Sequence, residues 1–125
     1  MGNSINISSI NKEINMRKEI IELKEELACF NITFKDLAAC SPSNEYTQEA
    51  LLNLAYILIK DDIIIYKIND KKLLDINLIY LRYGIKKKFI KKWKVYIIAL
   101  ILILQQDKYI FIKSFLENLL EDDDE

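Results

Sequence analysis

Two glycines and one proline are the only residues of their kind in 125 positions. That is too few turn-formers for a sandwich or barrel of many short strands. Apolar residues recur at helical spacing, and no long stretch alternates with period two. The expected class is all-α, a compact multi-helix domain, and the length fits one domain. The spacing predicts a first helix over 12–30 with Ile20, Leu23, Leu27 and Phe30 on one stripe. Thr33-Phe34-Lys35-Asp36 fits a capping box at the start of a short helix, and Ser41-Pro42 reads as a cap followed by Pro at a first helical position. A third helix is expected over 44–60, with Tyr46, Ala50, Leu54, Ile57 and Leu58 facing the core. Ile63 to Ile68 is β-branched, but a lone strand has nothing to pair with, so a short helix is expected there. Another follows at about 74–81, with Gly84 as its left-handed stop. A long helix over 86–104 and a last one over 108–120, capped by Asp107, complete the chain. Residues 1–11 are expected to be flexible and the acidic tail 121–125 disordered.

The net charge of −1 conceals a strong asymmetry. Residues 1–62 carry 6 basic and 10 acidic side chains, whereas residues 71–94 carry 9 basic ones and a single acid, Asp75. Such a block is the electrostatic footprint of a polyanion-binding surface or of a solvated lysine face. The chain has no histidine, which removes Ser-His-Asp and Cys-His catalysis, and no paired-carboxylate motif stands out, so no enzyme is expected. Cys29 and Cys40 form no C-x-x-C pair and are too few for a zinc site, so they are read as buried, reduced thiols of a cytosolic protein. No cofactor is implied. The N-terminus lacks a charged region followed by an apolar one, so no secretory signal is read. Val95 to Leu104 is ten apolar residues long, about half of the ~20 that a membrane span needs. It is expected to be a helix segment buried on most sides, with no membrane insertion.

Residues 85–97 separate cleanly on a helical wheel. Ile85, Phe89, Ile90, Trp93, Tyr96 and Ile97 gather in an arc of about 140°, as a core-facing stripe does. Lys87, Lys88, Lys91, Lys92 and Lys94 fill the opposite arc, and Lys86 belongs to the same basic run. A short helix, a turn with glycine and a second helix with this face have the shape of a helix-turn-helix, expected over about 73–104, whose second helix enters a DNA major groove. Lysine without arginine suits phosphates better than bidentate base contacts. The same face would also fit an anionic membrane surface or plain solvent.

Specific strings go further than this pattern. Phe30-Asn31-Ile32-Thr33-Phe34-Lys35-Asp36-Leu37, then Ser41-Pro42, then Trp93-Lys94-Val95-Tyr96-Ile97-Ile98-Ala99 resemble the C-terminal domain of sigma-I family RNA polymerase sigma factors. That family shows F-G-I-S-F-x-D-L-v-x-x-S-P and, after its helix-turn-helix, a basic stretch leading into Y-I-I-A. The order and separation of these elements agree over roughly residues 12–117. The resemblance implies an all-α, region 4-like domain that recognises the promoter −35 element through the second helix of its helix-turn-helix. It implies three partners: promoter DNA, the RNA polymerase core, and the cytoplasmic domain of a membrane-anchored anti-sigma-I factor. A cytoplasmic location follows from the same resemblance.

Carried over residue by residue, the family's R-K pair falls on Lys87-Lys88, its E-R on Lys91-Lys92 and its next R-K on Lys94-Val95. Charge is retained at Lys87-Lys88, a base replaces the acid at Lys91 and one charge is lost at Val95, while the arginine forks are lost, so phosphate contact is expected to be kept better than base reading. The candidate DNA-binding residues are therefore Lys86, Lys87, Lys88, Lys91, Lys92 and Lys94. The family's N-terminal domain, which grips the polymerase core, has no counterpart in these residues. The expectation is either a domain of a longer protein or an orphan module that binds an anti-sigma factor or another regulator without specific DNA reading.

Overall fold

A computed structural model describes residues 7–121. Among the described residues there are eight helices and no strand: α1 (Ile7–Ala28), α2 (Phe34–Ala39), α3 (Glu45–Leu58), α4 (Asp62–Lys71), α5 (Ile76–Tyr83), α6 (Lys87–Lys92), α7 (Lys94–Leu104) and α8 (Ile110–Glu121). The all-α class is as the sequence implies, including a helix across the β-branched run Ile63–Ile68. Helix α1 begins at Ile7, inside the stretch 1–11 expected to be flexible. Residues 1–6, and the acidic tail beyond Glu121, lie outside the described residues.

The core is arranged around α7, which packs against α1, α2, α3, α6 and α8. Every residue from Ile97 to Leu104 is buried, so this helix needs no polar face. Partners on all sides replace the water that a surface helix would meet. Among the described residues no helix is long and apolar enough to cross a membrane.

Capping residues fix most of the starts. Thr33 and Asp36 form the expected capping box, the Thr33 hydroxyl accepting from Asp36 N and the Asp36 carboxylate from Thr33 N, both at 3.0 Å. The expected cap at Ser41-Pro42 is not one. The Ser41 hydroxyl instead donates back to Leu37 O at 2.6 Å, and Asn44 caps α3 through Tyr46 N and Thr47 N. Asp107 is likewise displaced. Helix α8 starts at Ile110, and its Phe111 and Ile112 amides donate to Glu19, a buried carboxylate on α1, at 3.1 and 3.0 Å. A carboxylate borrowed from another helix thus does what a local cap would do, satisfying orphan amides and the helix dipole together.

Three expectations about packing are corrected. In α3 the buried set is Leu51, Leu52, Leu54, Ala55 and Leu58, while Tyr46, Ala50 and Ile57 face solvent. Both stripes satisfy the helical period, and the choice is made by which one α7 covers. Ile20 on α1 is exposed at the lip of an apolar groove that it shares with Met16, Phe34, Leu37, Ile112 and Phe115. Cys29, in the surface turn after α1, is exposed and Cys40 is half-buried, both as free thiols.

The largest correction concerns the long helix expected over 86–104. It is two helices, α6 and α7, broken at Trp93, whose backbone (φ −105°, ψ 16°) leaves the helical region. Amides still bridge the break: Trp93 N donates to Phe89 O, and Ile97 N to Trp93 O. The two sides of the break differ sharply: residues 97–104 are all buried, whereas 87–92 present a solvated cationic side.

Candidate nucleic-acid interface

Helix α5 ends at Gly84, whose φ of +68° closes the helix in the left-handed conformation, with its amide donating to Tyr80 O at 2.9 Å. Glycine adopts this geometry without the steric cost that a Cβ imposes. Three residues later the chain enters α6, so α5, the turn and α6 form a helix-turn-helix. These three elements occupy residues 76–92 of the stretch 73–104 expected for the unit, and α7 follows beyond the break at Trp93.

Within α6, Ile90 is fully buried and Phe89 half-buried, while Lys87, Lys88, Lys91 and Lys92 are all exposed. At 100° per residue those four lysines span an arc of about 140°, opposite Ile90. Lys86 is the residue preceding the helix and is exposed in the turn. Lys94 is also exposed but lies past the break, in a cleft lined by Phe30, Asn31, Lys72, Leu74 and Ile98. The structure therefore brings five of the six lysines together at α6 and separates the sixth. Among the described residues none of the six has a carboxylate within 4.0 Å. Two rest on aromatic rings, Lys87 at 5.1 Å from the Tyr80 centroid and Lys92 at 5.0 Å from that of Trp93. Cation–π contact of this kind holds an ammonium in place without neutralising it. Short like-charged spacing on a helix is otherwise unfavourable, so this face carries charge that the domain itself does not use.

The mounting of the helix-turn-helix was not anticipated from the sequence. Asp61, whose side chain is only 2% exposed, caps α4 through the Ile63 and Ile64 amides at 3.1 and 3.2 Å. Its other oxygen accepts from Arg82 Nη1 and from the Tyr83 hydroxyl, both at 2.7 Å. Burial pushes the Asp61 carboxyl up, but the hydrogen bonds from Tyr83, Arg82 and Ile64 N outweigh it and hold it at about 2. At the opposite end of α5, Asp75 caps Leu78 N and pairs with Lys67 of α4, and these contacts lower its pKa. The available signal was the aspartate pair Asp61-Asp62 ahead of an apolar run, which marks a helix start. Its long-range partners Arg82 and Tyr83 left no periodic trace.

These elements define a helix-turn-helix domain, with eight helices among the described residues and a cationic second helix in the motif. No protein-family model matches the chain. The sigma factor SigI6 of Acetivibrio thermocellus is 37% identical over 101 residues, covering 80% of this chain and 40% of the relative. SigI of Bacillus anthracis is 30% identical over 115 residues, covering 90% of this chain and 48% of the relative. SigI of Bacillus subtilis is 26% identical over 104 residues. The chain is a domain related to the C-terminal domain of SigI-family RNA polymerase sigma factors, and it spans less than half the length of these relatives.

Proposed function

We propose that the domain binds duplex DNA through α6 and serves as the −35 reading domain of a SigI-type sigma factor. The observation that carries this reading is the cluster of lysines at positions 86, 87, 88, 91 and 92, unpaired with any carboxylate among the described residues and mounted on the second helix of a helix-turn-helix. Phosphate binding follows from such a surface, since each neutralised phosphate releases condensed counterions. With lysine in place of arginine, the contacts favour the backbone over base edges. The sigma-factor relatives support promoter DNA and the RNA polymerase core as partners, and the same kinship supports an anti-sigma-I factor and a cytoplasmic site of action. The domain acts by binding and needs no cofactor for it.

A second reading has its own observation. The groove between α1, α2, α7 and α8, lined by Met16, Ile20, Leu23, Phe34, Leu37, Ile103, Ile112 and Phe115, is wholly apolar. It would suit an interaction module that holds a regulator and has no specific DNA reading. Fluorescence anisotropy with promoter-derived and scrambled duplexes, from low to physiological salt, separates the two. A steep salt dependence with preference for the promoter duplex supports the −35 reading. Absence of binding at low salt removes it and leaves the groove.

A further inference from the structure

We infer that Asp61 is a positioning residue for the DNA-facing helix, acting through Arg82 and Tyr83 on α5. The inference rests on the DNA reading of α6 above and asks what aims that helix. Helix α6 is six residues long and anchors itself with one fully buried side chain, Ile90. So short an element takes its direction from what holds its two ends, the last turn of α5 with the turn at Gly84 on one side and the hydrogen-bonded junction at Trp93 on the other. That last turn is held by Asp61. One carboxylate, nearly all of it out of water, receives two amides at the start of α4, the Arg82 guanidinium and the Tyr83 hydroxyl. Every donor that leaves this carboxylate leaves a buried acceptor under-satisfied, so the arrangement resists partial loosening. The Lys67–Asp75 pair ties the other end of α5 to α4, and α5 is thereby held at both ends.

The same latch explains why the helix-turn-helix reads as a lysine surface. Arg82 is the only arginine in residues 71–94, and its guanidinium is engaged by Asp61. The one planar fork in the unit is a structural group.

Three variants test the assignment. Asp61→Asn keeps an oxygen to cap α4, since Asn is as good an N-cap as Asp, but puts an amide where Arg82 and Tyr83 donate. Arg82→Gln and Tyr83→Phe each remove one donor. With each protein shown to be folded by circular dichroism, duplex affinity is measured across salt. Asp61→Asn should weaken binding about tenfold, because only the fraction of molecules with α6 correctly aimed binds. Removing a negative charge would by itself strengthen DNA binding, so this loss runs against the electrostatic trend. Tyr83→Phe, which changes no charge, should weaken binding in the same direction. The double variant Asp61→Asn/Tyr83→Phe should be within about twofold of Asp61→Asn alone, as expected of partners in one latch. The salt slope should stay that of the wild type in all of them. Unchanged affinity in folded variants would overturn the assignment, and so would a fall in slope of about 0.9 confined to Arg82→Gln, which would make Arg82 a direct phosphate contact. Amide exchange keeps the two readings apart. Asp61→Asn should speed exchange at Ile90 and Trp93 but not at Ile101, whether or not the wild type binds DNA. Uniform or unchanged exchange contradicts the latch, whereas a wild type that binds no duplex contradicts only the DNA reading.

Discussion

Helices α6 and α7 follow one another with a single residue, Trp93, between them, and they are built by opposite rules. Helix α7 buries all eight residues from Ile97 to Leu104, and α6 buries Ile90 alone. Along Ile97–Leu104 identity is dictated by volume, because other helices press on α7 and no side of this stretch is free for charge. In α6 four of six residues are lysine, all exposed and without a carboxylate partner among the described residues. The contrast teaches that stability and binding are held in adjacent segments that can be altered separately, with the Trp93 break as the boundary.

The largest effect should come from carrying the rule of one helix into the other. Ile101→Asp places an unpaired charge at a fully buried position and should leave no cooperatively folded domain, as seen in urea unfolding by circular dichroism. The same residue type placed on α6, in Lys88→Asp, should leave stability within about 0.5 kcal/mol of the wild type and strongly weaken duplex binding. A milder cut at the one anchor of α6, Ile90→Ala, should cost about 2–5 kcal/mol.

Gly84→Ala is smaller. A Cβ there meets no atom within 4 Å, so only the left-handed backbone is penalised, by about 1 kcal/mol. Acid stability isolates the Asp61 latch. Its carboxyl titrates at about 2 in the folded domain against an ordinary value of 3.8. A pKa lowered by folding stabilises fully above about pH 4 and is lost as pH falls towards 2. Asp61→Asn should therefore be less stable than the wild type at neutral pH and should lose less stability over that acid window. Smallest of all, Lys94→Ala should change the salt slope of duplex binding less than Lys91→Ala does, since Lys94 sits beyond the break.

Much of this architecture was legible in the residues. The shortage of glycine and proline gave the helical class, Thr33-x-x-Asp36 gave a helix start, and Gly84 gave a helix end, because each is a local signal whose physics is complete within four residues. The lysine face of α6 was legible for the same reason. The break at Trp93 was not, because the apolar stripe runs through it in register and no glycine, proline or capping residue marks it. The stripe of α3 was misread since two faces fit one period and α7 decides between them. Asp61 was missed as a latch because Arg82 and Tyr83 reach it from more than twenty positions away. Kinship with SigI sigma factors was legible in the Y-I-I-A-like and F-x-D-L strings, which belong to the core more than to the reading face.

The central claim is that α6, and no other lysine-bearing surface, meets DNA. The direct measurement compares Lys88→Gln/Lys91→Gln on α6 with Lys18→Gln/Lys24→Gln on α1, two pairs of exposed lysines whose removal changes net charge equally. If the claim is right, the α6 pair lowers the slope of log K against log salt by about 1.8, while the α1 pair leaves it at the wild-type value. Equal slopes for the two pairs, or a larger fall for the α1 pair, would contradict it.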